Sequence, residues 1–134
     1  MMILGRPLEL LLDWLEVTMG NHKKHVHVID DDRVICHSLS QILNKHGYEV
    51  EVFGSAEEYL DELNVNYDGY LLLDHKMTGM TGLELQEVLL EKNMQARIIF
   101  ITAMGELIEK QALKNGALKV FDKPFDLSEL IELL

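Results

Sequence analysis

Residues 70–84 read Y-L-L-L-D-H-K-M-T-G-M-T-G-L-E, and the fold can be worked out from this stretch. Tyr70–Leu73 is an uninterrupted apolar run, too short for a helix. Strands that alternate apolar and polar residues have one wet face, whereas a continuous run marks a strand covered on both faces. The run stops abruptly at Asp74. Seven residues later, Thr81 and Glu84 have capping-box spacing. They stand ahead of Leu85, Val88 and Leu89, which share one helical face. The stretch therefore predicts strand, loop and helix, with a carboxylate at the strand's carboxyl end.

Working outward, the same unit recurs. His25–Ile29, Glu49–Phe53, Ile98–Ile101 and Leu118–Phe121 read as further strands. Ile35, Leu39, Ile42 and Leu43 fall on one helical face, with Gly47 as the stop signal. Ser55 and Glu58 form a second capping-box pattern before Tyr59, Leu60 and Leu63. A shorter helix is predicted over about Leu107 to Asn115, ahead of Gly116. Asp126 and Glu129 open a last helix, whose Leu127, Leu130, Ile131 and Leu134 share a face. Five strand–helix units from residue 25 onward predict an α/β fold: a doubly wound, five-stranded parallel sheet with helices on both sides.

A chain of 134 residues suits one such domain with a short extension. Residues 1–24 are read as that extension and 25–134 as the domain. In the extension, Pro7 and the stripe Leu4, Leu8, Leu11, Leu12 and Leu15 predict a short amphipathic helix. Met19 stands close to the start of the first strand, so an alternative start there is one expectation. A helix that packs on the domain or forms a homodimer is the rival.

The net charge of −11 disfavours direct nucleic-acid binding, because an acidic surface repels phosphate. No stretch has the ~20 apolar residues of a membrane span. The lone cysteine, Cys36, falls in a predicted helix and is read as a packing residue in a reducing compartment. A cytoplasmic location follows as the expectation.

In a parallel sheet, ligands bind beyond the carboxyl ends of the strands. Asp30, Asp31 and Asp32 follow the first strand, Asp74 the third, Thr102 ends the fourth, and Lys123-Pro124 follows the fifth. Carboxylates about 4 Å apart repel by roughly 4 kcal/mol per pair at an effective dielectric near 20. Gathering several of them calls for a cation, and hard oxygen ligands suit Mg²⁺. A lysine and a hydroxyl at the same edge add donors for an anion. Together these residue types describe phosphate chemistry at a carboxylate nucleophile. Any one of them alone has a plainer role: Asp31 or Asp32 can simply cap the next helix.

Residues 25–134 resemble the receiver domains of two-component response regulators, of the CheY-like, flavodoxin-like (βα)5 superfamily. V-I-D-D-D at 28–32, the stretch 71–84, I-T-A at 101–103, N-G-A at 115–117 and K-P-F at 123–125 carry the resemblance. It implies strand order 2-1-3-4-5 and a phosphoacceptor role for Asp74. It further implies that Mg²⁺ (or Mn²⁺) binds Asp31 directly, Asp30 through water, Asp74 and the backbone carbonyl of Lys76. Thr102 and Lys123 would contact the phosphoryl group, with a cis peptide between Lys123 and Pro124. The implied partners are a sensor histidine kinase or phosphotransfer protein as donor and an unidentified downstream effector.

Three departures from the family pattern stand out. Thr78 takes the place of a common proline, the segment between Thr102 and Gly116 is about one residue short, and Val120 replaces a common aromatic switch residue. Phe121 is expected on the opposite face of its strand. Four rival readings are weighed. A phosphorylation-independent interaction domain of the same fold is opposed by the complete set Asp30, Asp31, Asp74, Thr102 and Lys123. A phosphate-processing enzyme would need a further catalytic base or substrate insertion. A flavin binder would place its phosphate against the acids. A transition-metal site at His22, His25 and His27 ranks low. His75 is read as a solvated loop side chain.

Overall fold

The computed structural model describes residues 24–134 together with Leu8 and Leu11. Its strands are β1 (Lys24–Ile29), β2 (Tyr48–Phe53), β3 (Tyr70–Leu73), β4 (Arg97–Thr102) and β5 (Lys119–Asp122). The helices are α1 (Arg33–Lys45), α2 (Ala56–Asp61), α3 (Gly82–Glu91), α4 (Gly105–Lys114) and α5 (Leu127–Leu133). The strands form one sheet in the order β2-β1-β3-β4-β5, and every pair is parallel. This is the arrangement expected from the sequence.

β3 sits at the centre, and all of its residues are buried. Its side chains divide between the two faces. Leu71 and Leu73 pack with Ile29, Phe100, Leu85, Leu89, Ile108 and Ala112 under α2, α3 and α4. Tyr70 and Leu72 pack with Val26, Val28, Ile99, Cys36, Leu39, Leu43 and Leu130 under α1 and α5. Each fully buried leucine contributes about 1.5–3 kcal/mol, enough to fix the strand's register and direction. Val120 joins the first cluster and Phe121 the second, so the two side chains point to opposite faces as expected.

Helix ends follow local chemistry. Thr81 and Glu84 form the full capping box of α3. At α2 only half of the expected box forms. Ser55 Oγ accepts the Glu58 N–H at 3.0 Å, but Glu58 Oε2 reaches back to the Gly54 N–H at 2.9 Å, one residue earlier than expected. Gly47 follows the α1 cap with φ 89°, a backbone conformation that side chains resist. α4 starts at Gly105, two residues before its predicted start. No side chain caps it, and Gly105 lies directly against the Asp122 carboxylate.

In the N-terminal segment, Leu8 and Leu11 are helical. The rest of the predicted helix, with Leu4, Leu12 and Leu15, lies outside the described residues, as do Met19 and His22. Among the described residues, no helix is long and apolar enough to cross a membrane.

Candidate functional site

The parallel sheet brings the ends of β1 and β3 side by side. Ile29 is in register with Leu73, and the Asp74 N–H donates to the Ile29 carbonyl at 3.0 Å. Asp30 and Asp74, the next residue on each strand, are therefore neighbours, both buried. Asp31 lies beside them and is exposed. One carboxylate oxygen from each of Asp30, Asp31 and Asp74 falls within 4.8 Å of the other two. At that spacing each pair of charges repels by about 3–4 kcal/mol at an effective dielectric near 20.

Lys123 answers part of this repulsion. Its N–H is held by the Thr102 carbonyl at 3.0 Å, which ties the β5 end to the β4 end. Its ammonium donates to Asp30 Oδ2 at 2.8 Å and to Asp74 Oδ2 at 3.2 Å. The Lys123–Pro124 peptide is cis, as the sequence resemblance implies. Burial works to lower the Lys123 pKa, but bonding to Asp30 and the charges of Asp30 and Asp74 outweigh it, and the net shift is upward. Burial pushes Asp30 above its ordinary value, although the Lys123 bond opposes that shift. The nearby Asp74 charge adds to that upward shift. The donor set is all oxygen from three acids, and it fits a hard divalent cation such as Mg²⁺.

Thr102 is fully buried. Its Oγ1 accepts the Met104 N–H at 3.1 Å. A hydroxyl that accepts still has its hydrogen to donate. Geometry decides which neighbouring acid caps α1. Asp32 Oδ1 accepts the Val34 and Ile35 N–H groups, so Asp32 is the α1 cap and Asp31 is free for the rim. Lys76 lies in the exposed β3–α3 loop, two residues after Asp74.

That loop has supports the sequence did not announce. The Thr78 N–H donates to Asp31 Oδ2 at 3.4 Å, a bond a proline there could not make. His75 is half-buried, and its Nδ1 accepts the Leu83 N–H at 3.3 Å, at the start of α3. Among the other histidines, His27 Nδ1 meets the Tyr59 hydroxyl at 2.9 Å. Its Nε2 pairs with Glu51 at 2.9 Å, and its ring stacks on Tyr67. Among the described residues, the acids at the rim are the only metal-ligand cluster. A large groove of about 870 Å³, lined by His27, Tyr59 and Tyr67, opens beside β2 and contains none of these acids.

Comparison with known proteins agrees with this geometry. The family model for the response regulator receiver domain matches residues 26–134. The response regulator protein TodT of Pseudomonas putida is 36% identical over 114 residues, covering 84% of this chain and 50% of TodT. The chain thus spans about half the length of that relative. Among solved structures, the response regulator StyR superposes with a TM-score of 0.77 at 38% identity, covering 83% of this chain and 57% of StyR. The response regulator TrrA of Thermotoga maritima, solved in complex with Mg²⁺ and a beryllium fluoride, gives 0.71 at 31% identity over 82% of this chain and 95% of TrrA.

Proposed function

The chain belongs to the response regulator receiver family, and on that premise we propose that it is a phosphoacceptor switch in which Asp74 is the residue phosphorylated. The observation that carries this reading is the convergence of Asp30, Asp31 and Asp74 with the Lys123 ammonium bridging two of them. A sensor histidine kinase or phosphotransfer protein supplies the phosphoryl group. The Asp74 carboxylate attacks phosphorus, the donor's bond to phosphorus breaks, and an acyl phosphate remains on Asp74. Phosphoryl transfer depends mainly on positioning and charge neutralisation.

Asp30, Asp31, Asp74 and the Lys76 carbonyl would hold Mg²⁺, which supplies charge neutralisation at the transferring oxygens. Lys123 is 3.2 Å from Asp74 Oδ2 and can turn its ammonium to a phosphoryl oxygen. Thr102 donates its hydroxyl to the same group. The same hydroxyl oxygen accepts the N–H of Met104, the cap position of α4. A charge gained at Asp74 thereby reaches the start of α4 through one side chain. The domain works in the cytoplasm, passes its state to an effector domain or protein, and does not itself turn over an external substrate.

Incubation with Mg²⁺ and acetyl phosphate, followed by intact mass spectrometry, tests this reading. The wild type is expected to gain one base-labile phosphoryl group and Asp74→Asn none. Equal labelling of the two proteins would remove Asp74 from the mechanism.

A further inference from the structure

Glu57 lies in the first turn of α2, outside the acidic rim, and the proposed chemistry makes no use of it. Its carboxylate nevertheless crosses to the β3–α3 loop, where Oε2 accepts the Met80 N–H at 2.8 Å. The preceding residue, Gly79, has φ 84°, in the left-handed region that disfavours side chains. A Cβ on Gly79 would also stand 2.6 Å from the same Oε2. Gly79 thus makes the turn and leaves room for the carboxylate. Two residues before Met80, the Thr78 N–H reaches Asp31 Oδ2 at 3.4 Å. Met77, between Lys76 and Thr78, buries its side chain in the core. The segment that carries the Lys76 carbonyl is therefore held at Met77 by packing, at Thr78 by a carboxylate of the β1–α1 connection and at Met80 by one of α2.

These two carboxylate bonds are not equivalent. The Thr78 contact is long, hence weak, and uses the carboxylate of a residue placed to ligate the cation. A divalent ion held there would compete for that carboxylate. The Glu57 bond is short and charge-assisted, and Glu57 lies outside the ligand set. We infer that Glu57 is a positioning residue for the cation site: it tethers the loop so that the Lys76 carbonyl stays in place when a divalent ion draws Asp31 away from Thr78. The inference rests on the phosphoacceptor reading and extends it to a residue on another element. Mg²⁺ tolerates little deviation from octahedral geometry, with ligands at about 2.1 Å, so a loose loop costs affinity. Partners that orient ligands from outside the coordination sphere typically change metal affinity by about 10–100-fold. An exposed single tether belongs at or below the low end of that range.

The test compares wild type, Glu57→Ala and Glu57→Gln by calorimetric titration with Mg²⁺. Amide exchange at Met80 and thermal unfolding in chelator are measured alongside. Glu57→Ala is expected to weaken Mg²⁺ binding about 5–10-fold and to speed exchange at Met80, while its melting temperature in chelator stays near that of wild type. Glu57→Gln keeps an oxygen that accepts the Met80 N–H, so its Mg²⁺ affinity is expected within about twofold of wild type. Wild-type affinity in Glu57→Ala overturns the inference and leaves the phosphoacceptor reading standing. Equal losses in the two variants also overturn it, because they assign the effect to charge and not to the tether. Failure of the wild type itself to bind Mg²⁺ overturns both.

Discussion

Asp30, Asp31 and Asp32 follow one another in the chain, yet each faces a different partner. Asp30 is buried and takes the Lys123 ammonium. Asp31 is exposed beside Asp74 and takes the Thr78 amide. Asp32 turns to the first amides of α1. Sequence alone left open whether Asp31 or Asp32 caps the helix, because both carboxylates precede it. The cap must reach the second or third helical amide, and only Asp32 does. Asp32→Ala is therefore expected to lower stability by about 1 kcal/mol in urea unfolding, with phosphoryl labelling close to wild type, and Asp32→Ser to restore most of the loss. A collapse of labelling in the Ser variant would put Asp32 in the site. His27 gives a second check at this scale. Burial lowers its pKa below 6.5, with Glu51 opposing the shift and His25 adding to it. The folded state therefore favours neutral His27. Its share of stability is present above pH 6.5 and lost as pH falls through the folded value. Replacing His27 by Gln is expected to flatten the fall in melting temperature between about pH 7.5 and 5.5. An unchanged slope would mean that other groups carry it.

Among the elements, α4 is the one whose supports are least regular. It has no side-chain cap, and it is pinned to α3 by buried Gln86, whose Nε2 donates to the Ala112 carbonyl at 3.0 Å. Among the described residues, Gln86 Oε1 has no hydrogen-bond partner. The Ala112 carbonyl also accepts the Ala117 N–H at 3.0 Å, so it stays satisfied without Gln86. Gln86→Leu should then remove an unpaired buried oxygen and raise stability by about 1 kcal/mol, or roughly 2–5 °C in melting temperature. A fall of similar size would show that the α3–α4 bond outweighs the orphaned oxygen. The same irregularity explains what was hard to read in the sequence. α3 announced its start through Thr81 and Glu84, and its capping box forms in full. α4 begins on Met104 and Gly105, which carry no capping side chain, so its start was placed two residues late. β3, read from its apolar run, is legible to the residue, whereas β4 extends one residue beyond its apolar run at each end. β5 was placed one residue early, because Leu118 looks like strand but is half exposed.

For the whole molecule, topology does what no single segment can. Parallel pairing in the order β2-β1-β3-β4-β5 carries residues from positions 30, 31, 74 and 123 to one rim. The sequence disclosed which residues stand at strand ends, and hence the membership of that rim. It did not disclose the loop tether from Glu57 or the role of His75. Both depend on contacts between elements distant in sequence and leave no periodic or motif signal. The proposed switch requires that this rim make Asp74 the acceptor and that a divalent ion be bound there. After exposure to acetyl phosphate with Mg²⁺ or with chelator, borohydride reduction converts an aspartyl phosphate to homoserine, which peptide mass spectrometry can locate. Homoserine is expected at Asp74 with Mg²⁺ and unmodified aspartate with chelator. Modification at another carboxylate, or equal modification of Asp74 in chelator, would contradict it.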